Sequence, residues 1–426
     1  MNLKLVVLIL SILMYLGIII FSNKKVFISI GAAIICVILG AVNFKQVFTE
    51  LINWNVLMIY IGTLILADLF IISKVPAMIA DILVDKAPNT GLAIVFLCAL
   101  TGFISMFVEN VATVLVIAPL AFDIAKKLKV SPVPILFAIA ISSNLQGTAT
   151  LVGDPPSMIF AGFVGFSFND FFFYNGKPSI FFIVEIGALA SLIYLYFLFR
   201  KFKRKEVIEE IVKPNSYVPT ILLCSMILGL AIISFIDKGF TIKSGILCMI
   251  FGIIGLIWHF FHYKKDHKET LDIIKRLDWE TIFFLIGIFV VIGTISKVGL
   301  LEDFSTWLIK TFGNNLFISF LVITFFSMIL SGFIDNVPYI IIMLPVVKMI
   351  AMSFEANEFL LYYGLLVASC LGGNMTPFGA SANVVSVGLL KKEGYKTSFW
   401  DFVKIGLPFT LISTIVAATF NWLMMK

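Results

Sequence analysis

The segment Gly147-Thr148-Ala149-Thr150-Leu151-Val152-Gly153-Asp154-Pro155-Pro156 interrupts an otherwise apolar stretch, and its counterpart Gly373-Asn374-Met375-Thr376-Pro377-Phe378-Gly379 interrupts another. Glycine removes the restraint on φ and proline removes a backbone donor, so each segment should unwind a helix. Two further polar breaks precede them: Phe107-Val108-Glu109-Asn110-Val111-Ala112-Thr113 and Phe333-Ile334-Asp335-Asn336-Val337-Pro338. The same spacing follows both, with Pro119 nine residues past Asn110 and Pro345 nine past Asn336. Upstream, Trp54 to Gly62 aligns with Trp279 to Gly287, and Ile72-Ser73-Lys74-Val75 with Ile295-Ser296-Lys297-Val298. Shared Trp, Asn, Pro and Gly at near-constant offsets mark a duplicated unit.

The solvent around these breaks is lipid. Of 426 residues, 60% are hydrophobic and 13% charged, with a mean hydropathy of +1.07; a soluble domain is nearer half apolar and a quarter charged. A span needs roughly 20 apolar residues. Leu3–Phe21, Val56–Ile72, Ile180–Phe199, Val218–Phe235, Gly245–Phe261, Ile282–Ile295 and Ile405–Met424 are the candidates. The first lacks a small-residue cleavage site and is read as a retained span, not a signal peptide.

Placing the basic cluster Arg200 to Lys213 in the cytoplasm puts Lys24-Lys25, Lys126 to Lys129, Lys264 to Arg276 and Lys391 to Lys396 there too. This is the positive-inside pattern, and it sets both termini outside. It requires Gly91–Ala125 and Asn315–Met352 to enter and leave on one face as re-entrant hairpins. Two ordinary spans joined by a buried turn would break the charge map. The expected fold class is therefore an all-α polytopic membrane protein with two inverted repeats, each of five spans plus one re-entrant hairpin, with broken helices. The first repeat covers 1–200 (scaffold helices 1–72, hairpin 91–126, broken helix 133–165, helix 178–200) and 201–216 is a basic linker. The second covers 217–426 (scaffold helices 217–298, hairpin 315–353, broken helix 358–390, helix 403–425).

Unwound backbone in lipid costs several kcal/mol per bare polar group, so the four breaks must line a protected cavity. Freed carbonyls suit Na⁺, and half-helix N-termini suit an anionic or oxygen-rich substrate. Glu109, Asp154 and Asp335 fall at bilayer depth, where ionisable groups mark ion and substrate paths. The arginines Arg200, Arg204 and Arg276 all lie in cytoplasmic loops, so no guanidinium reaches these acids. Acids so placed bind a cation, hold a proton, or both. Permanent protonation with a hydrogen bond to the hairpin backbone is the structural alternative for Glu109 and Asp335. Asp154, whose repeat counterpart is Ala380, is either an ion ligand or the cap of the half-helix after it. The coupling-ion and substrate set is Glu109, Asn110, Thr113, Asn144, Gly147, Thr148, Thr150, Gly153, Asp154, Asp335, Asn336, Gly373, Asn374, Thr376, Gly379, Ser381 and Asn383.

Other residues read as structure. Asp68 and Glu185 belong to the scaffold, and Lys74 and Lys297 snorkel at helix ends. His259, His262 and His267 sit near a solvated loop. The 44 Phe are mainly lipid-facing bulk, and the five Cys are small packing residues. No GxxxxGK[ST] occurs, which argues against ATP drive from this chain. The basic residues orient the chain and do not bind nucleic acid. No nucleophile–base pair or metal triad suggests an enzyme, and no cofactor is expected beyond Na⁺ or H⁺ as coupling ion.

Together, Glu109 to Thr113 with Pro119, Asn144 to Ser157, Gly372-Gly373-Asn374 and Gly379 to Val385 resemble the ion transporter superfamily. The likeness is strongest to its ArsB/P-protein branch, beside the NhaD antiporters and divalent-anion sodium symporters. It covers nearly the whole chain and implies an inner-membrane transporter with a scaffold and an elevator-type transport domain, usually a homodimer. It also implies that Thr150, Gly153, Thr376 and Gly379 line ion and substrate sites. Where the carboxylate symporters carry Ser-Asn-Thr at each hairpin tip, this chain has Glu109-Asn110-Val111 and Asp335-Asn336-Val337. The function expected first is a permease for a small anion or oxyacid such as arsenite, coupled to H⁺ or Na⁺. A Na⁺/H⁺ antiporter comes second. A citrate or dicarboxylate symporter comes third, being disfavoured by the altered tips and the missing cationic clamp.

Overall fold

The computed structural model describes residues 3–21, 24–205, 211–262, 267–312, 315–354 and 357–426. The middle of the expected linker and the side chain of His267 lie outside the described residues.

The first half forms α1 (Leu3–Ile20), α2 (Lys25–Ile38), a short α3 (Phe44–Gln46) running into a π turn (Val47–Leu51), α4 (Trp54–Ile72) and α5 (Val75–Lys86). Then come α6 (Thr90–Ser105), α7 (Asn110–Leu128), α8 (Val133–Gly147), α9 (Pro155–Val164) and α10 (Ile180–Phe199). The second half repeats the order: α11 (Val218–Ile236), α12 (Ile242–His262), α13 (His267–Arg276), α14 (Trp279–Lys297) and α15 (Leu300–Phe312). It continues through α16 (Leu316–Ser331), α17 (Asn336–Ser353), α18 (Glu358–Gly372), α19 (Ser381–Lys392) and α20 (Phe399–Met425). Among the described residues, α4, α10, α11, α12, α14 and α20 are long and apolar enough to cross a bilayer.

Local chemistry explains the boundaries. Asn53, Asn89 and Asp278 each accept a hydrogen bond from the first turn of the helix they precede, at 3.2, 3.0 and 3.0 Å. The polar segments expected to break helices do so, with α8 ending at Gly147 and α18 at Gly372. Glu109 and Asp335 separate α6 from α7 and α16 from α17, giving two helical hairpins with acids at the turn. The short helices α3, α5, α13 and α15 were not anticipated. Neither was the antiparallel ribbon β1 (Phe173–Tyr174) and β2 (Lys177–Pro178), which pairs Phe173 with Pro178.

The helices fall into two groups. In one, α4 packs on α12 and α2 on α14, and both contacts run through glycine. A Cβ on Gly62 would strike the Cys248 backbone, and one on Gly287 would lie 2.7 Å from the Ser29 carbonyl carbon. Gly62 and Gly287 are the aligned glycines of the two halves. Each half therefore packs its α4-type helix on the second helix of the other half. In the other group α6 packs on α8, α16 on α18, and α10 on α20.

Phenylalanines such as Phe27, Phe44 and Phe235 lie on the outer faces of the helices, as expected of lipid-facing bulk, while Phe160, Phe166 and Phe171 are fully buried and meet edge-to-face, with Tyr362 and Tyr363 against them. One expectation changes here. His259 is buried, not solvated, with its Nδ1 2.8 Å from Thr270 Oγ1. Of the cysteines, Cys36, Cys98, Cys248 and Cys370 are buried and Cys224 is exposed.

Candidate functional site

The two broken helices and two hairpin tips converge on a cavity of about 550 Å³. Each tip is built in the same way. The Glu109 carboxylate accepts from Ala112 N (2.9 Å) and that of Asp335 from Val337 N (3.0 Å), so each acid caps the outgoing hairpin helix. Behind them, Asn110 Oδ1 accepts from Ser105 Oγ at 2.5 Å, and Asn336 Oδ1 meets Ser331 Oγ. Thr150 Oγ1 donates to the Met106 carbonyl, and Thr376 Oγ1 to that of Gly332 at 2.5 Å. The glycines allow the close approach. A Cβ on Gly153 would lie 2.8 Å from the Met106 oxygen and one on Gly379 2.9 Å from the Gly332 oxygen. One on Gly147 would lie 2.5 Å from Asn110 Oδ1.

The copies differ at one acid. Asn110 Nδ2 donates to Asp154 Oδ2 at 3.4 Å, whereas Asn336 has Ala380 at the matching place. Asp154 makes no side-chain hydrogen bond to the first turn of α9. The capping alternative for Asp154 is therefore not what the structure contains; its carboxylate faces the cavity.

An asparagine knot joins the two broken helices. Asn144 Nδ2 donates to Asn374 Oδ1 (2.9 Å) and Asn383 Oδ1 (2.8 Å). Asn383 Nδ2 in turn donates to the carbonyls of Gly373 and Thr376, both at 3.0 Å, and Asn374 Nδ2 to that of Ile141. All three asparagines are buried.

Of the expected set, Glu109, Asn110, Asn144, Asp154, Asp335, Asn336, Gly379 and Ser381 line the cavity. Thr113, Gly147, Thr148, Thr150, Gly153, Gly373, Asn374, Thr376 and Asn383 stand behind that surface. The hydroxyls of Thr113, Thr150 and Thr376 are spent on backbone carbonyls, because unwound segments leave carbonyls that need donors. Asp68 lies on α4 away from the cavity, and Glu185 Oε2 accepts from Gln146 Nε2 at 3.3 Å. Lys297 Nζ donates to Gln46 Oε1 at 2.6 Å.

The opposite wall comes from α1, α2, α4 and the start of α14, and contains residues not foreseen. Tyr60 Oη donates to Asp278 Oδ2 at 3.1 Å, and Glu280 stands beside it. Lys25 Nζ lies 3.8 Å from both Glu280 Oε1 and Asp335 Oδ2, and 5.3 Å from the Phe284 ring centre. The cavity does have a cationic group, which corrects the expectation of a missing clamp and of Lys25 as a mere loop charge. Glu109, Asp154, Asp278, Glu280 and Asp335 face this one ammonium among the lining residues. The arginines are absent from the lining, as expected.

An uncharacterized transporter of Mycobacterium tuberculosis is 29% identical to this chain over 411 residues, 94% of each chain. An uncharacterized transporter of Synechocystis sp. is 27% identical over 432 residues, 96% of this chain and 95% of that one. The human P protein is 26% identical over 404 residues, 76% of this chain and 48% of its own length. Two solved structures share the fold at low identity. The YdaH transporter of Alcanivorax borkumensis has a TM-score of 0.61 at 14% identity, over 89% of this chain and 86% of that one. MtrF of Neisseria gonorrhoeae has 0.56 at 12%, over 91% and 83%. These agree with the all-α transporter fold and with an integral multi-pass membrane protein that handles a small molecule or ion. Residues 15–365 match the family model described as Citrate transporter, and the chain belongs to this CitMHS family of membrane transporters.

Proposed function

We propose that this protein is a secondary active transporter in which Glu109 and Asp154 carry the coupling cation, and that its activity is exchange of Na⁺ against H⁺. One observation carries the reading: five carboxylates and a single ammonium line one cavity. Such a field concentrates cations and repels free anions. Antiport thereby moves ahead of the anion permease. We further propose that residues 1–200 and 217–426 are inverted repeats around this cavity. The group containing α6 to α10 and α16 to α20 would move as an elevator against the group of α1, α2, α4, α11, α12 and α14. The matched hydrogen bonds of the two tips support a duplicated unit.

A second reading keeps a small anion or oxyacid as cargo, with arsenite or, following the family's description, citrate as candidates. Lys25 and the N-termini of α9 and α19 favour it, because all three present positive charge to the cavity. A polyanion would then have to enter with its charge offset by protons or cations.

Reconstituted liposomes separate the readings. With an acidic lumen, added Na⁺ should alkalinise the lumen in the wild type, and Glu109→Gln and Asp154→Asn should remove that response. Uptake of labelled citrate or arsenite without any sodium-driven pH change would overturn the antiport reading.

A further inference from the structure

The two hairpin tips are built alike but charged differently. At the first, Glu109 and Asp154 face the cavity, linked through Asn110, and neither has an ion-pair partner among the described residues. At the second, position 380 is Ala, so Asp335 stands alone, and Lys25 Nζ is 3.8 Å from it. The first tip thus holds two neighbouring carboxyl groups with no ammonium against them, and the second has the Lys25 ammonium between Asp335 and Glu280.

Lys25 is held in place by the opposite wall. It stands in the first turn of α2, which packs on α14 through Ser29 and Gly287. Its ammonium passes over the Phe284 ring and rests between Glu280 of α14 and Asp335 of the tip. A cation on a four-carbon stem fixed to α2 pays little entropy to stay there, unlike an ion drawn from solution.

Resting on the coupling-cation reading above, we propose that Lys25 is a tethered cation that fills the second tip permanently. The Glu109–Asp154 pair is then the single place for a mobile cation. The duplication built two equivalent acid sites; a lysine in the wall occupies one of them, and an added aspartate strengthens the other. The transporter accordingly binds one exchangeable monovalent cation per chain.

Equilibrium binding of radiolabelled Na⁺ to the purified full-length protein in detergent tests this. The wild type should bind about one Na⁺ per chain with a Hill coefficient of about 1. Lys25→Gln should raise this to about two, while Lys25→Arg stays at about one. The double variant Lys25→Gln/Asp335→Asn should return to about one, because the vacated acid is removed with its lysine. A Lys25→Gln protein that still binds one Na⁺ overturns the tethered-cation proposal and leaves the coupling reading intact. Wild-type protein binding none overturns both. Should Lys25→Gln not fold, a wild-type count of two is by itself enough to reject the proposal.

Discussion

Asn144 on α8 donates its amide to Asn374 Oδ1 at 2.9 Å, 230 positions along the chain, and the same group reaches Asn383. Replacing it with a similarly sized apolar side chain strands both oxygens in a buried setting. Asn144→Leu should cost about 1–2 kcal/mol, nearer the low end typical of interhelical bonds in membranes. The check is a lower melting temperature by scanning fluorimetry in detergent, with an Asn144→Asp control that keeps an acceptor but loses both donations.

The glycines of the two broken helices should tolerate no side chain. At Gly153 and Gly379 the new Cβ would meet backbone oxygens of Met106 and Gly332 at 2.8 and 2.9 Å, and backbone cannot turn aside as a flexible side chain does. Gly153→Ala and Gly379→Ala should each cost about 1–3 kcal/mol and abolish transport. Gly388 is helical with open space around its Cα, so Gly388→Ala should be neutral or stabilising by about 0.5–1 kcal/mol. Monodispersity and melting temperature of the three variants provide the comparison.

Glu109 serves as a helix cap and as a proposed ion ligand, and the two roles separate by substitution. Glu109→Gln keeps an oxygen that accepts from Ala112 N, so the fold should survive while sodium-driven proton movement falls at least tenfold. Glu109→Leu loses the cap as well and should be less stable than Glu109→Gln by about 1 kcal/mol. Equal melting temperatures for the two would show that the cap contributes nothing.

Between α11 and α12, the Lys243 ammonium donates to Asp237 at 2.8 Å and holds its carboxyl below the usual carboxylate range. A folded value below the unfolded one means that the contribution is complete above the unfolded value. It is lost as pH falls through the folded one. The melting-temperature gap between wild type and Asp237→Asn should therefore close in acid and persist at neutral pH. Because the pair is at the surface, the gap should be small and shrink in salt.

The helix ends and the four polar breaks were legible because their causes are local. Gly147, Pro155, Gly372 and Pro377 act on the backbone at their own positions, and the acids at 109 and 335 are conspicuous among apolar neighbours. Which polar atoms face the cavity was not legible. Thr150 and Thr376 read as ligands, yet unwinding leaves carbonyls at Met106 and Gly332 that take their hydroxyls first. Lys25 was hidden by its setting next to Lys24, where a basic pair reads as a loop charge. Only the packing of α2 on α14 aims it at Asp335. Tyr60 and Asp278 meet across 218 positions, a pairing that no periodicity records. His259 follows the same logic, since its burial depends on Thr270 from the next helix.

The exchange of helices between the halves bears on how the molecule is made. Gly62 finds its partners at Cys248 and Gly252 of the second half, so a nascent chain threaded into the bilayer from its first residue carries an unfilled groove on α4 until the second half emerges. Neither half is a complete object by itself. A truncated product released after α10 should be short-lived in the cell, and two separately expressed halves should rescue each other only by meeting in the same membrane.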